Sequence, residues 1–354
     1  MRVFASPQVY IQGFAAFQTE LLCLQRLGKK ALIVTDAFVM QMVGEQLVEN
    51  LNRVEIESAA VLVDDSSQAT FFAKTKEMIQ TANYQFIIAL GGGKAMDLGK
   101  MVANNNHLPV AVLPTSAATD AATSRISVIY DEAGNFVRYN FYAKNPEIVL
   151  VDTKIIFAAP QEMLVAGFAD GIATYIEARS VWEDQGVNIA GAKPTLAALS
   201  LAKTCHDVLI RDIKSALRAQ KDGIINAAFE NVVESNILLS GLGFENGGLS
   251  LAHSFHNVIM GDCQLSVRGS HGQIVAVGLL LQLLIEKRRT EYEDYRQLFT
   301  SLKLPTTLPE LNLNLSQTMI RNLAKKILLT KQAGNHLGKQ VDEAKISTAL
   351  TELA

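Results

Sequence analysis

Residues 246–272 read NGGLSLAHSFHNVIMGDCQLSVRGSHG and hold three of the chain's six histidines, His253, His256 and His271. His253 and His256 stand three apart on one face of a short apolar helical stretch, and His271 follows Ser270 where a further helix starts. Upstream, Asp170 in FADGIATYIEARS (168–180) reads as the opening of a helix. One carboxylate and two imidazoles suit Zn²⁺ and leave a coordination position free for an oxygen ligand. An ion held there would polarise an alcohol and lower its pKa. Each residue also has a plainer explanation. Aspartate is a favoured helix N-cap, and histidines on an apolar face can be satisfied core residues. The residues alone leave both explanations open.

A second stretch, FIIALGGGKAMDLGK (86–100), runs from a strand through three glycines into an amphipathic helix carrying Asp97 and Lys100 one turn apart. Consecutive glycines let backbone N–H groups approach a phosphate at a helix N-terminus, where the dipole favours negative charge. The pattern is neither GxGxxG nor a P-loop, and a tight strand–helix turn without ligand is the alternative. Asp36 ends the strand ALIVTD, where the ribose of an adenosine can be held. Asp120 lies in PTSAATDAATS (114–124), a small polar loop after the strand VAVL. Ligand contacts concentrate in such loops, although a turn aspartate explains it as well. No Ser–His–Asp or Cys–His nucleophile arrangement is present.

The elements that must position these residues fall into two halves. Apolar runs at Ala31–Thr35, Ala59–Val63, Phe86–Leu90, Val110–Leu113 and Ile148–Val151 alternate with helical patterns such as Phe38–Leu51 and Ala69–Thr81. That rhythm predicts a parallel sheet covered on both faces, with a β-hairpin over Ser127–Tyr142 turning at DEAG. After Pro160 the strand signal stops. Helices are predicted over Gly171–Val181, Thr195–Ala219, Ile224–Leu242, Ser250–Ile259, Gln273–Glu286 and Thr318–Thr330. The expected plan is a Rossmann-like α/β domain over 1–158 followed by an all-helical domain over 159–354 that carries the metal and substrate residues.

With 354 residues, 49% of them hydrophobic, the chain has ample apolar surface for two cores. A net charge of −3 gives no basic stripe, so nucleic acid is excluded as a partner. Three cysteines, Cys23, Cys205 and Cys263, form no disulfide framework and no CxxC pair. No signal peptide is read at the start. The most apolar run, Ile274–Ile285, is shorter than the ~20 residues of a membrane span. A cytoplasmic protein without membrane contact is expected.

In their order along the chain these motifs resemble the glycerol dehydrogenase branch of the iron-containing (type III) alcohol dehydrogenases. The resemblance rests on SPQVYIQG (6–13), GGGKAMDLGK, LPTSAATDAATSRISVIY (113–130), PEIVLVDTKIIFAAP (146–160), GFADGIATYIEA (167–178), ENGGLSLAHSFHN (245–257) and SHGQIVAVG (270–278). It implies a dehydroquinate synthase-like two-domain architecture, with NAD on the first domain and Zn²⁺, rather than Fe²⁺, between the two. Asp170, His253 and His271 match the metal ligands, and His256 matches a histidine near the site. Asp36, Gly92, Gly93, Lys94, Thr115, Ser124, Ile126 and Tyr130 match dinucleotide contacts, to which Asp97 and Ala118 are added as neighbours on the same segments. Asp120 matches an aspartate that hydrogen-bonds the substrate's hydroxyl groups. We take Asp120 and His256 as catalytic candidates, and a homo-oligomer, a dimer or larger ring, as the assembly.

The chain departs from the family pattern at three places. Thr174 replaces the histidine that gives many iron-dependent relatives a fourth ligand, and Ala118 stands where Ser or Thr is usual. Arg125 replaces a small or apolar residue. Arg125 and Arg268 are read as solvated surface groups. The expected reaction is NAD⁺-dependent oxidation of glycerol or a related vicinal diol to the hydroxyketone. Two alternatives accompany it. A 2-oxoacid or hydroxycarboxylate reductase would need Arg125 or Arg268 to hold a carboxylate. A dehydroquinate synthase-like NAD/zinc lyase would need a basic cluster for a phosphate.

Overall fold

The computed structural model describes residues 1–64, 68–130, 136–262, 265–331 and 341–354. Six parallel strands make one sheet in the order β1-β8-β5-β4-β2-β3. They are β1 (Val9–Gly13), β2 (Lys30–Thr35), β3 (Glu57–Leu62), β4 (Phe86–Gly91), β5 (Val110–Pro114) and β8 (Ile148–Asp152). All six residues of β4 are buried because both sheet faces are covered. Alternate side chains serve the two faces. Ala31, Ile33, Phe86, Ile88 and Leu113 join a core closed by α1 (Ala16–Thr19), the turns that follow it and α3 (Glu45–Arg53), while α2 (Ala37–Val39) opens the helical run into α3. Leu32, Val34, Ile87, Ala89 and Val112 join the opposite core under α4 (Gln68–Ala82) and α5 (Gly93–Asn105), which continues without a break into the helical half. The edge strand β1 escapes the sequence reading because it has only five residues, all half-buried.

The predicted hairpin is present as β6 (Ile126–Tyr130) antiparallel to β7 (Phe136–Phe141), while its DEAG turn lies outside the described residues. After β8 come α6 (Thr153–Ala158), α7 (Gln161–Glu183) and α8 (Leu196–Asp222). A single rod follows, made of α9 (Ala227–Glu234), a π-turn at Ser235–Leu239, and α10 (Ser240–Gly247). Then come α11 (Leu251–Gly261), α12 (His271–Ile285), α13 (Arg289–Ser301), α14 (Gln317–Leu328) and a last helix at Glu343–Glu352. Helix α13 was not predicted because its sequence, RTEYEDYRQLFTS, is mostly polar and buries only Tyr292, Tyr295 and Phe299.

One element differs in a way that matters for the site. Helix α7 starts at Gln161 after Pro160, so Asp170 does not cap it but lies in its fully buried interior. Gly167 is helical and required by packing. A Cβ there would sit 1.9 Å from the carbonyl oxygen of Ala117, so only glycine lets α7 approach the loop after β5.

Candidate metal centre and dinucleotide site

Helices α7, α11 and α12 bring three residues together. Asp170, His253 and His271 each offer a ligand atom within 4.8 Å of the others. Asp170 Oδ1 lies 3.4 Å from His253 Nε2 and 3.2 Å from His271 Nε2, so one carboxylate oxygen faces two imidazole nitrogens. Its Oδ2 is buried with no hydrogen-bond partner among the described residues. A buried carboxylate oxygen left unsatisfied is costly unless something absent from a protein-only structure answers it. The donor set and the orphaned oxygen fit a divalent cation. Burial pushes the Asp170 carboxyl up, but the two histidines outweigh it and hold it below the ordinary range.

Both imidazoles are oriented from behind. Glu177, fully buried, lies 2.5 Å from His253 Nδ1 through Oε2. Its Oε1 accepts the backbone N–H of Ser250 and of His253. The Gln282 side chain accepts the next two N–H groups, of Leu251 and Ala252. The buried start of α11 is therefore capped entirely from other helices. His271 Nδ1 faces His256 Nε2 at 2.9 Å, and His256 Nδ1 faces Asn257 Oδ1 at 3.1 Å. Asn257 Oδ1 in turn accepts the Tyr139 hydroxyl from β7. Burial, followed by the charges of His271 and His253, drives the His256 pKa well down, which keeps it neutral behind His271.

Asp120 is buried in the loop after β5, where Ser240 Oγ–H donates to its Oδ2 at 2.7 Å. The π-turn before Ser240 sets that hydroxyl on the inner face. Ser240 Oγ lies 2.9 Å from Thr174 Oγ1, which donates to the Asp170 carbonyl. Burial and the neighbouring Asp170 charge raise the Asp120 carboxyl well above the usual range. Lys100, buried, donates to the carbonyls of Ala121, Ser124 and Ile126 and pairs with Asp97 at 3.1 Å, fastening this loop to α5.

The dinucleotide candidates line the C-terminal edge of the sheet. The strand order reverses between β2 and β4, the switch point where open α/β sheets bind ligands. Asp36 follows β2, caps α2 by accepting Val39 N–H, and has Oδ2 3.8 Å from where a Gly91 Cβ would lie. Gly91 has φ 140°, which favours glycine, and a Cβ on Gly92 would meet open space. Gly92 caps α5, Gly93 begins it, and Lys94 is exposed beside them. Asp97 points inward, engaged by Lys100 and the Val128 amide. Thr115 and Ala118 lie on the loop after β5, its backbone tied to Gly91 by Thr115 N–H. Ser124 turns its hydroxyl to the Ala121 carbonyl, Ile126 is buried at the start of β6, and Tyr130 ends that strand.

Arg125 corrects an expectation. It is half-buried rather than a free surface group, and its Nε lies 3.0 Å from the buried Glu245 carboxylate on α10. Asn145 binds the other Glu245 oxygen, and burial, eased by these partners, leaves the Glu245 carboxyl pushed up to about 7. Arg268 is exposed and lines a surface cavity with Gln273, Lys303 and Glu310, which includes none of the metal candidates. Sequence reasoning missed Glu177 and Ser240, and placed Lys100 one turn from Asp97 without its carbonyl partners. Only Glu177 left a signal, seven residues after Asp170 and so on the same helical face.

Comparison with known proteins gives this arrangement a lineage. Residues 10–160 match the family described as iron-containing alcohol dehydrogenase. Glycerol dehydrogenase 1 of Schizosaccharomyces pombe is 33% identical over 99% of this chain and 78% of its own length. A glycolaldehyde reductase of Halobacterium salinarum is 36% identical over 88% of this chain and 85% of its own. A crystal structure of glycerol dehydrogenase from Schizosaccharomyces pombe superposes with a TM-score of 0.90 at 32% identity, covering all of this chain and 90% of that one. The chain belongs to the iron-containing alcohol dehydrogenase family, on its glycerol dehydrogenase branch.

Proposed function

We propose that the protein is a zinc-dependent NAD⁺ polyol dehydrogenase that oxidises glycerol or a related vicinal diol at its secondary carbon, giving dihydroxyacetone or the corresponding hydroxyketone. The observation that carries this reading is a fully buried mid-helix aspartate with one oxygen toward two imidazoles and the other unanswered. Asp170, His253 and His271 would hold the metal. Bound there, Zn²⁺ supplies the Lewis acidity that makes an alcohol proton easier to lose, and NAD⁺ is the hydride acceptor. The chain's own residues do the rest. Asp120, held by Ser240, orients the substrate hydroxyl groups. His256 acts through His271 rather than on substrate, which moves it from a catalytic to a positioning role. The glycine turn offers backbone N–H groups to the pyrophosphate, and the Asp36 carboxylate favours a free ribose over a 2′-phosphate.

Two observations weigh against the alternatives. Arg125 is paired with Glu245, and Arg268 is exposed in a surface cavity that none of the metal candidates lines, which disfavours either guanidinium as the holder of a 2-oxoacid. Among the described residues the groups around Asp170 are histidines, carboxylates and hydroxyls, without the basic cluster a phosphate-bearing lyase substrate needs. A homo-oligomeric assembly belongs to the same reading, and light scattering measures it. Purified protein should reduce NAD⁺ with glycerol or 1,2-propanediol, lose that activity to a strong chelator, and regain it with Zn²⁺. Turnover of 2-oxoacids without any diol oxidation would overturn the proposal.

A further inference from the structure

The two candidate metal imidazoles are backed by unlike partners. Behind His271 stands a second imidazole, His256, and then the carboxamide of Asn257. Behind His253 stands the fully buried carboxylate of Glu177. Among the described residues Glu177 accepts two backbone N–H groups and faces one ring nitrogen, which must carry the proton to bond a carboxylate. Oε2 faces His253 Nδ1 at 2.5 Å, and Oε1 accepts Ser250 N–H at 2.8 Å and His253 N–H at 3.0 Å. An acceptor-only side chain fits that shell. A carboxamide would turn an NH₂ toward at least one N–H. With the proton on Nδ1, the lone pair of His253 is on Nε2, the nitrogen that faces Asp170 Oδ1.

We infer that Glu177 is a positioning residue for the metal. It fixes the Nδ1–H tautomer of His253, aims Nε2 at the ion, and makes His253 the stronger donor of the two imidazoles, because a carboxylate raises ligand basicity more than a neutral acceptor does. The inference rests on Asp170, His253 and His271 forming a metal site. It adds a residue that no ligand search would find, since Glu177 would never touch the ion.

The test compares zinc affinity, by competition with a chromogenic chelator, in the wild-type protein, Glu177→Gln and Gln282→Leu. Gln282 caps the same helix start without touching an imidazole. Glu177→Gln should bind zinc roughly 10–100-fold more weakly, with Gln282→Leu close to wild type. Equal affinity in wild type and Glu177→Gln, or an equal loss in both variants, would overturn the assignment, the second result reducing Glu177 to a helix cap. A wild-type protein that takes up no zinc would instead remove the metal reading itself. In parallel, ¹⁵N imidazole shifts of the zinc-loaded wild type should show His253 protonated at Nδ1 and ligating through Nε2. Ligation through Nδ1 refutes the inference even if Glu177→Gln fails to fold.

Discussion

The sheet side and the helical side of the proposed site are built from different materials. At the sheet edge the work falls to backbone, with Gly91 at φ 140°, Gly92 facing open space and a helix start at Gly93. On the helical side it falls to side chains from α7, α10, α11 and α12, nearly all buried and each held by another. A backbone site needs only small residues and one local turn, and it can accept a ligand without rearranging anything. A side-chain site in a dry interior must satisfy every polar group, so its ligands come with a network behind them.

That contrast can be broken by substitution. Asp170→Ala should cost the most, more than the roughly 10–100-fold expected for a residue behind the ligands, read as zinc affinity and content with the fold retained by circular dichroism. If the affinity holds, the helical side is not a metal site. Gly167→Ala should destabilise on the order of 3 kcal/mol in urea unfolding, because its methyl would meet a backbone carbonyl where the two sides close on each other.

At the seam, Glu245 supplies a pH test. Its carboxyl is raised from 4.5 to about 7, so the native chain keeps the proton longer than the unfolded one. Its contribution is therefore complete below about pH 4.5 and is lost as pH rises to about 7. The stability of wild type relative to Glu245→Gln should fall by on the order of 2–3 kcal/mol over that window, and a flat difference would mean that Arg125 dominates the buried carboxylate. Gly92→Ala should leave stability within about 0.5 kcal/mol while raising the KM for NAD⁺ about tenfold. An unchanged KM would place the pyrophosphate elsewhere. The smallest effect is expected from Asp36→Ser, a shift in the NAD⁺ to NADP⁺ preference with little change in stability.

What the sequence disclosed follows the same division. The glycine turn was legible because strand, glycines and helix are contiguous. The three metal candidates were legible as residue types. Their support was not, because Glu177 and Ser240 acquire partners only when distant helices and loops meet. Asp170 reads as a helix start because aspartate is a favoured cap, and the carbonyl of Ala117 that demands a glycine at 167, inside the helix, lies fifty residues away. Arg125 was misread for a similar reason, since its partner Glu245 is on α10.

Thr174 bears on more than the ligand set of the proposed metal site. It is fully buried, and its methyl lies so near Gly243 that even a Cβ there would come within 2.5 Å, with Ala202 close on the same side. An imidazole at 174 would have to enter space already filled by α8 and α10. Placing a fourth ligand there would thus require coordinated change on three helices, with the first step destabilising by itself.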